Sequence, residues 1–333
     1  MTEKADEKQE NGLIDKYNRR IDYLRLSITD RCNLRCRYCM PEEGVKMKHP
    51  REIMSYEEIM TLARAAAVCG LSRIRLTGGE PLVRKGVVSL VKELYSIEGI
   101  SEISMTTNGI LLSEMAPRLY EAGLRRVNIS IDTLDPEAYK HITRWGSLDK
   151  VMAGLHAAVE VGMEPVKINV VVQKGFNDDL EPFVALIYKL PVHVRFIEYM
   201  PAFYEERRDK FVSGEELEAK IRALGDIYQA QAPEGAGPAR YFFLPGAKGT
   251  LGLIGSSKGH FCASCNRLRL TADGKLRTCL FSEQEIDVLK LMRGGVTGDA
   301  LTQVIRDAIL NKPKDRFDKR EGKVSRGMSQ IGG

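Results

Sequence analysis

The sequence of 333 residues contains no apolar run close to the ~20 residues that span a bilayer. Residues 1–12 are mostly charged or polar and contain no apolar core, so neither a signal peptide nor a membrane anchor is expected there. We therefore expect a cytoplasmic protein without a membrane partner, in which thiols stay reduced. We also predict that residues 1–20 form a disordered tail.

A large excess of charge of one sign is also missing. The 50 Lys and Arg residues and 45 Asp and Glu residues leave a net charge of +5, which permits an anionic ligand but does not indicate nucleic acid. A zinc-stabilised RNA-binding protein is an alternative, but it would place aromatic side chains among its basic residues. The basic stretch "NRLR" (266–269) has none. We therefore expect no nucleic-acid partner, and the sequence leaves a homodimer open.

The cysteines are odd in number, seven, and fall into two triplets, which makes a poor disulfide framework. The triplets are C-x3-C-x2-C and C-x2-C-x13-C, formed by Cys32, Cys36 and Cys39 and by Cys262, Cys265 and Cys279. Cys69 stands alone in an apolar helical stretch, where we expect a buried core thiol.

Neither triplet has a fourth cysteine beside it. Three thiolates indicate a [4Fe–4S] cluster in which one iron has no protein ligand. Structural zinc normally takes four ligands. His49 could complete a zinc site at the first triplet and His260 at the second, so zinc stays an alternative.

Six short aliphatic runs alternate with longer amphipathic stretches between residue 21 and about residue 225. This alternation predicts an α/β fold, a parallel sheet covered by helices. Six units predict an incomplete (β/α)6 barrel of the TIM type over residues 21–225, because a complete barrel has eight. Residues 226–315 are expected to form a C-terminal extension of short strands that carries the second cluster, and residues 316–333 a tail.

The predicted strands have aliphatic side chains on one face and polar side chains on the other. Four cations lie on the polar faces: Arg25, Arg75, Lys167 and Arg195. Cations without partners are costly in a dry core, so we predict a lumen that encloses a large anionic ligand. A sheet face exposed to water is the alternative. As a strand, "NRLR" would add Arg267 and Arg269 on one face beside the second triplet.

The first triplet, with Tyr38 between its last two cysteines and "TGGEP" (77–81) after the second strand, resembles the radical S-adenosylmethionine (SAM) superfamily. The resemblance implies that SAM binds the open iron of the first cluster. An electron then releases a 5′-deoxyadenosyl radical from SAM. The positions that match SAM contacts of that superfamily are Tyr38, Gly79, Ser130 and Met200.

Both triplets together with "NRLR" and the final Gly332–Gly333 resemble the GTP 3′,8-cyclase family, from about Arg25 to the C-terminus. This resemblance implies a lyase with two [4Fe–4S] clusters, each bound by three cysteines, that carries out the first step of molybdenum cofactor biosynthesis. The radical would take the ribose C3′ hydrogen of GTP, and 3′,8-cyclo-7,8-dihydro-GTP would form. A radical SAM enzyme with an auxiliary cluster that modifies a peptide is the alternative.

The same resemblance implies specific residues and partners. The positions that match GTP contacts are Arg25, Arg75, Thr106, Lys167, Arg195, Arg267, Leu268 and Arg269. Catalytic roles are implied for Arg267, Arg269, Gly332 and Gly333. The implied partners are GTP as substrate, a reductant protein for the first cluster, and the downstream cyclic pyranopterin monophosphate synthase.

Overall fold

The structure is a computed structural model, and it describes residues 13–199, 208–233, 237–255, 262–315, 318, 326–327 and 330–331. The predictions for Met200, His260, Gly332 and Gly333 lie outside these residues, as does the segment 1–12. Within the described part of the chain, no helix is both long and apolar enough to cross a bilayer.

The aliphatic runs of the sequence form strands. In the described chain these are β1 (Leu13–Ile14), β2 (Arg20–Ile21), β3 (Tyr23–Ser27), β4 (Arg73–Thr77), β5 (Glu102–Thr107), β6 (Leu124–Ser130), β7 (Val166–Val172), β8 (Val192–Glu198), β9 (Tyr228–Ala230), β10 (Arg240–Phe243), β11 (Thr250–Ile254), β12 (Arg267–Leu270), β13 (Lys275–Arg277) and β14 (Ile286–Asp287). Strands β3 to β8 lie where the six strands were predicted, which confirms those predictions.

The amphipathic stretches form helices that cover the sheet. They are α1 (Tyr56–Val68), α2 (Val87–Tyr95), α3 (Leu112–Glu121), α4 (Pro136–Thr143), α5 (Leu148–Glu160), α6 (Glu181–Lys189), α7 (Gly214–Ala223), α8 (Val288–Arg293) and α9 (Gly298–Leu310), with 3-10 turns at Pro50–Glu52, Pro81–Val83 and Arg208–Lys210. α1 begins at a capping box, in which Ser55 and Glu58 accept each other's backbone N–H. The prediction did not include α4, although Asp135 followed by Pro136 is a helix-start signal.

Twelve strands form one sheet in the order β14-β13-β12-β3-β4-β5-β6-β7-β8-β11-β10-β9. The eight strands from β12 to β11 in this order run parallel. The C-terminal region therefore supplies one strand to each side of the predicted six. Beyond them, the outermost strands pair antiparallel.

The aliphatic face of the parallel strands packs against the helices. Leu24 and Leu26 of β3 and Ile74 and Leu76 of β4 are at most 1% exposed and belong to one continuous core. Cys69 lies in the same core, and its thiol donates to the Thr302 carbonyl oxygen at 3.4 Å, which confirms a packing role. Because alternate side chains point to opposite faces, the polar residues of these strands face away from the helices.

The N-terminal segment differs from its prediction. β1 and β2 pair antiparallel, and the side chains of Asp15 and Arg19 in the turn between them form a buried ion pair at 2.6 Å. Arg19 also donates to the carbonyl oxygens of Pro313 and Lys314 at 2.7 and 2.9 Å. The predicted disorder is therefore wrong for residues 13–20, because long-range contacts hold a segment that shows no strong local pattern.

Candidate active site

A cavity of about 410 Å³ lies at the carboxyl ends of the parallel strands. It is within the size range of small-molecule sites. The predicted site residues that line it are Arg25, Cys32, Cys36, Tyr38, Cys39, Arg75, Gly79, Thr106, Ser130, Arg195, Cys262, Cys265, Arg267, Arg269 and Cys279. The fold thus brings both cysteine triplets and five of the predicted arginines to one chamber.

Two predicted residues with described positions do not line this cavity. Lys167 is the second residue of β7 and is 5% exposed, and it pairs in register with Asn128 of β6, which does line the cavity. The Leu268 side chain is fully buried in the hydrophobic core on the opposite face of β12. Leu268 can therefore meet a ligand in the lumen only through its backbone.

The loop after β3 carries the first triplet. Its last two cysteines lie in a tight turn, in which the backbone N–H groups of Cys39 and Met40 both donate to the Cys36 carbonyl oxygen at 2.9 Å. The Arg144 guanidinium donates to the Met40 carbonyl oxygen at 3.1 Å and fixes the end of the loop. None of the three cysteines forms a disulfide, and all three line the cavity.

The "GGEP" turn after β4 is hydrogen-bonded to the backbone of the loop that carries the first triplet. The Gly79 N–H donates to the Thr29 carbonyl oxygen at 2.8 Å, and the Glu80 N–H donates to the Arg31 carbonyl oxygen at 2.7 Å. A Cβ atom on Gly79 would lie 2.3 Å from the Arg31 carbonyl oxygen, so a side chain is excluded at this position. Glycine is needed because two backbone segments approach closely there.

Glu80 connects the turn to the next strand end. Its buried carboxylate accepts from the Thr107 hydroxyl at 2.7 Å and from the Asn108 N–H at 2.7 Å. Burial raises the pKa of Glu80 to about 7, although these hydrogen bonds oppose the shift. The Asn108 amide then donates to the Asn33 side chain at 2.8 Å and lies 4.0 Å from the Cys32 Sγ. This chain of contacts sets the position of the first cysteine.

A second buried carboxylate holds Tyr38. The Tyr38 hydroxyl donates to Asp132 Oδ2 at 2.7 Å, and the Val171 N–H donates to Asp132 Oδ1 at 2.9 Å. Burial raises the pKa of Asp132 to about 6. Burial also raises the pKa of the Cys36 thiol, and the neighbouring Cys39 and Asp132 add to that shift. Two buried carboxylates, Glu80 and Asp132, therefore lie near the first triplet, and Arg35 partly offsets their effect on Cys32.

The second triplet lies among cations. The Arg19 guanidinium donates to the Cys262 carbonyl oxygen at 3.0 Å, and the Lys312 ammonium donates to the Arg267 carbonyl oxygen at 2.9 Å. Although burial raises the pKa of Cys265, Lys312 and Arg267 lower it to about 7. The protein thus favours the thiolate form at this triplet, which is the form that binds metals.

Five arginines line the cavity together with the two triplets, and we call them the arginine wall: Arg25, Arg75, Arg195, Arg267 and Arg269. Burial lowers the pKa of Arg25, and the charges of Arg269 and Arg75 lower it further. Burial, with Arg267 next, lowers the pKa of Arg269 to about 10. Within the described residues, Thr106 Oγ1 and Arg75 Nε are buried without a hydrogen-bond partner. Crowded cations and buried polar atoms of this kind suit a large anionic ligand with many acceptor oxygens.

The six cysteines of the two triplets can be compared, in chemical type and in position, with the ligands of an iron–sulfur cluster. Within the described ranges, no group of three or more His, Cys, Asp or Glu side chains is arranged to hold a single metal ion. Six cysteines outside any disulfide nevertheless line the cavity in two sets of three, and thiolates are the ligands of iron–sulfur clusters, which are larger than one ion. Both sets fit such a group in donor type.

Sequence reasoning did not assign a role to several residues of the site. Asp132 had a signal, because it lies on the polar face of the fourth predicted strand. Asn108 directly follows β5, where active-site residues of such folds gather. Arg19 and Lys312 lie outside the parallel strands, and only the folded chain brings them to the second triplet.

Comparison with known proteins defines the family. Residues 26–187 match the Radical SAM superfamily, and residues 192–317 match Molybdenum Cofactor Synthesis C. A GTP 3′,8-cyclase of Thermodesulfovibrio yellowstonii is 48% identical over 323 residues, which cover 96% of this chain and 99% of that protein. The chain belongs to the GTP 3′,8-cyclase family. The Moorella thermoacetica member is 49% identical over 321 residues and covers 96% of this chain and 99% of its own length.

Solved structures add the fold. The crystal structure of Streptococcus suis SuiB has a TM-score of 0.61 at 15% identity and covers 88% of this chain and 69% of that chain. At this identity the likeness shows a shared fold alone. Together with the superfamily match, it confirms the predicted radical SAM α/β fold with a mostly parallel sheet.

Proposed function

We propose that this chain is a radical SAM lyase that converts GTP to 3′,8-cyclo-7,8-dihydro-GTP, the first step of molybdenum cofactor biosynthesis. One observation carries the proposal: two sets of three thiols and five arginines line a single cavity. The family match supplies the reaction, since curated relatives along almost the whole chain are named GTP 3′,8-cyclase. In this proposal the parallel sheet is an incomplete barrel over residues 21–225, and residues 226–315 carry the second cluster.

The first triplet forms the SAM side of the site. A [4Fe–4S] cluster bound there supplies, with SAM, the 5′-deoxyadenosyl radical that takes the C3′ hydrogen of GTP. Tyr38, whose hydroxyl is held by Asp132, would contact the adenine of SAM, and the backbone at Gly79 would contact its amino group. Ser130 and Met200 complete the proposed SAM contacts. The carboxylates of Glu80 and Asp132 suit a ligand that carries a sulfonium and an ammonium group.

The second triplet and the arginine wall form the GTP side. A second [4Fe–4S] cluster on Cys262, Cys265 and Cys279 would leave one iron open toward the guanine. The triphosphate carries roughly four negative charges near neutral pH and needs several cations. The proposed contacts are Arg25, Arg75, Thr106, Lys167, Arg195, Arg267, Arg269 and the backbone of Leu268.

Binding SAM and GTP in one chamber, between the two triplets, would speed the transfer of the ribose hydrogen. Orientation of reacting groups can remove on the order of 7–11 kcal/mol from a barrier. The chamber also keeps water and stray hydrogen donors from the radical. Gly332 and Gly333 are proposed to act at this chamber, together with Arg267 and Arg269. A reductant protein supplies two electrons per turnover, one for the cleavage of SAM and one that, with a proton, reduces the cyclised nucleotide to the closed-shell product, and cyclic pyranopterin monophosphate synthase receives that product.

Product analysis tests the proposal. The protein is reconstituted anaerobically with iron and sulfide and is incubated with SAM, a reductant and GTP. We expect roughly eight irons per chain, release of 5′-deoxyadenosine, and a nucleotide product that has the mass of GTP but the chromatographic retention and NMR spectrum of its isomer 3′,8-cyclo-7,8-dihydro-GTP. A protein that contains iron and cleaves SAM but leaves GTP unchanged would contradict the proposed substrate. A protein without iron would contradict the whole assignment.

A further inference from the structure

We propose that Arg326 forms an ionic anchor with Asp273 and Glu285 that positions the C-terminal end of the chain at the cavity, and that conversion of GTP depends on this anchor. We call these three residues the tail anchor. The inference rests on the proposed function for its catalytic part, whereas its structural part stands on the contacts alone. Arg326 is a positioning residue here, since it acts through the residues that follow it.

The geometry of the tail anchor is specific. Arg326 Nη1 lies 2.9 and 3.1 Å from the two carboxylate oxygens of Asp273, and Nη2 donates to Asp273 Oδ2 at 3.1 Å and to Glu285 Oε2 at 2.8 Å. The side chains of Arg326 and Asp273 are 18% and 8% exposed. A forked, largely buried contact of this kind is stronger and more directional than a surface ion pair.

The two carboxylates are held in place by other parts of the chain. The Thr271 hydroxyl donates to Asp273 Oδ1 at 2.6 Å, and the Lys48 ammonium lies 3.1 Å from Asp273 Oδ2. The Arg277 guanidinium, 2% exposed, pairs with Glu285 at 2.6 Å. The folded chain therefore fixes the carboxylates of Asp273 and Glu285 where one guanidinium can bind both. We call these two carboxylates the socket.

This socket is also connected to the first triplet. The Lys48 N–H donates to Asp30 Oδ2 at 2.9 Å, and Asp30 lies two residues before Cys32. The loop that carries the first triplet and the tail thus meet at one carboxylate, Asp273.

The residues after Arg326 lead to the cavity. The Gln330 N–H donates to the Gly327 carbonyl oxygen at 3.0 Å, and the Gly327 N–H donates to the Gln330 side chain at 3.1 Å, which closes a turn. The next residue, Ile331, is fully buried, and its carbonyl oxygen accepts from Arg269 Nη1 at 3.3 Å. Arg269 lines the cavity. The described end of the chain is therefore tied at Arg326 and reaches an arginine of the proposed GTP side.

A chain end that becomes ordered loses conformational entropy and needs contacts to offset that loss. One buried isoleucine and one hydrogen bond hold the inner end, and the tail anchor holds the outer end. Without the anchor we expect the segment from Gly327 to Ile331 to open more often, and the contact between Arg269 and the Ile331 carbonyl oxygen to be lost more often.

Hydrogen exchange of the full, anaerobically reconstituted chain tests the structural part. In Arg326→Gln and Asp273→Asn, the amides of Gly327 and Gln330 should exchange roughly tenfold faster, which corresponds to about 1.4 kcal/mol of local opening. Arg293→Gln is the matched control, because it breaks a surface pair with Glu58 at 2.7 Å. Exchange rates that match the control would overturn the anchor. If Asp273→Asn fails to fold, Glu285→Gln replaces it. This variant removes the ion pair between Arg326 and Glu285 and keeps the forked contact between Arg326 and Asp273.

The catalytic part has a separate readout. In Arg326→Gln we expect the yield of cyclised nucleotide per 5′-deoxyadenosine to fall roughly tenfold, while the KM for SAM stays unchanged. Arg326→Lys keeps the charge but loses the fork, so it should restore part of the yield. Wild-type coupling in Arg326→Gln, or no rescue by lysine, would overturn the positioning role. Failure of the wild-type chain to cyclise GTP would instead refute the proposed function and leave the exchange result valid.

Discussion

The two cysteine triplets line one cavity, but buried carboxylates act on the thiols of the first and buried cations act on a thiol of the second. Glu80 and Asp132 lie near the first triplet, and burial with these neighbours raises the pKa values of Cys32 and Cys36. Around the second triplet, Lys312 and Arg267 lower the pKa of Cys265 against the effect of burial.

This difference suggests why one chamber uses two sites. A cationic ligand such as SAM is favoured beside carboxylates and disfavoured beside arginines. A triphosphate has the opposite preference. Under the proposed function, the charge distribution favours SAM on the first side and GTP on the second, so variants on each side should affect one substrate much more than the other.

The largest expected effect separates the triplets completely. Cys36→Ala should remove about four irons per chain and abolish release of 5′-deoxyadenosine, because a cubane held by two thiolates is not retained. Cys69→Ala is the matched control, since Cys69 packs in the core. Iron content and deoxyadenosine are measured on the same sample. Full iron content with normal SAM cleavage in Cys36→Ala would remove the first triplet from the mechanism.

On the opposite side, Arg269→Ala should weaken GTP binding by about 2–5 kcal/mol, the usual cost of truncating a buried charged partner. Uncoupled SAM cleavage should survive. The control is Arg240→Ala, because Arg240 has a 65% exposed side chain paired with Glu218 on the surface. Equilibrium dialysis with labelled GTP measures the affinity. An affinity equal to that of the control would contradict an arginine wall that binds the triphosphate.

A smaller effect should appear at the first triplet when one hydrogen bond is removed. Tyr38→Phe and Asp132→Asn both break or weaken the 2.7 Å contact between the hydroxyl and the carboxylate. Each should raise the KM for SAM by about tenfold, since hydrogen bonds to charged groups contribute about 1.5–3 kcal/mol. The Kd for GTP should not change. Equal losses for both substrates would show that the two sides are not independent.

The alternation of aliphatic and polar residues along the sequence predicted the parallel sheet and many of the side chains on its polar face. Arg25, Arg75 and Arg195 were placed in the lumen by strict alternation, and all three line the cavity. Alternation predicts to which face of the sheet a side chain points, but it does not predict how far that side chain lies from the carboxyl end of the strand. Lys167 was expected beside the same ligand; it does not line the cavity itself but is in register with Asn128, which does, so its contact with the ligand stays a prediction.

Other features depend on contacts between distant segments. β11 and β12 pair with β8 and β3 across long stretches of sequence, and no local signal indicates which edge each strand joins. Arg19, Lys312 and Arg326 reach the site or its support from segments outside the parallel strands. Such positions are set by the packing of the whole chain, so a single sequence shows the residue types without their neighbours.

The position of Lys167 gives the smallest expected effect, a dependence of GTP affinity on pH. Burial lowers the pKa of Lys167 to about 7, and the charges of Arg195, Arg75 and Arg126 add to the shift while Glu102 opposes it. A bound triphosphate favours the protonated amine and raises this pKa. The contribution of Lys167 to affinity is therefore complete below about pH 7 and is lost as pH rises through the higher pKa of the complex.

The slope cannot exceed a tenfold loss of affinity per pH unit, the limit of roughly 1.4 kcal/mol for one proton. His193 also lies near Lys167, but burial lowers the pKa of His193 to about 4, so it stays neutral over this range. Lys167→Arg keeps the charge at all these pH values and isolates the effect from the titration of GTP itself. GTP affinity measured from pH 6 to 9 should fall more steeply for the wild type than for Lys167→Arg. Parallel curves would mean that the charge of Lys167 does not interact with the triphosphate.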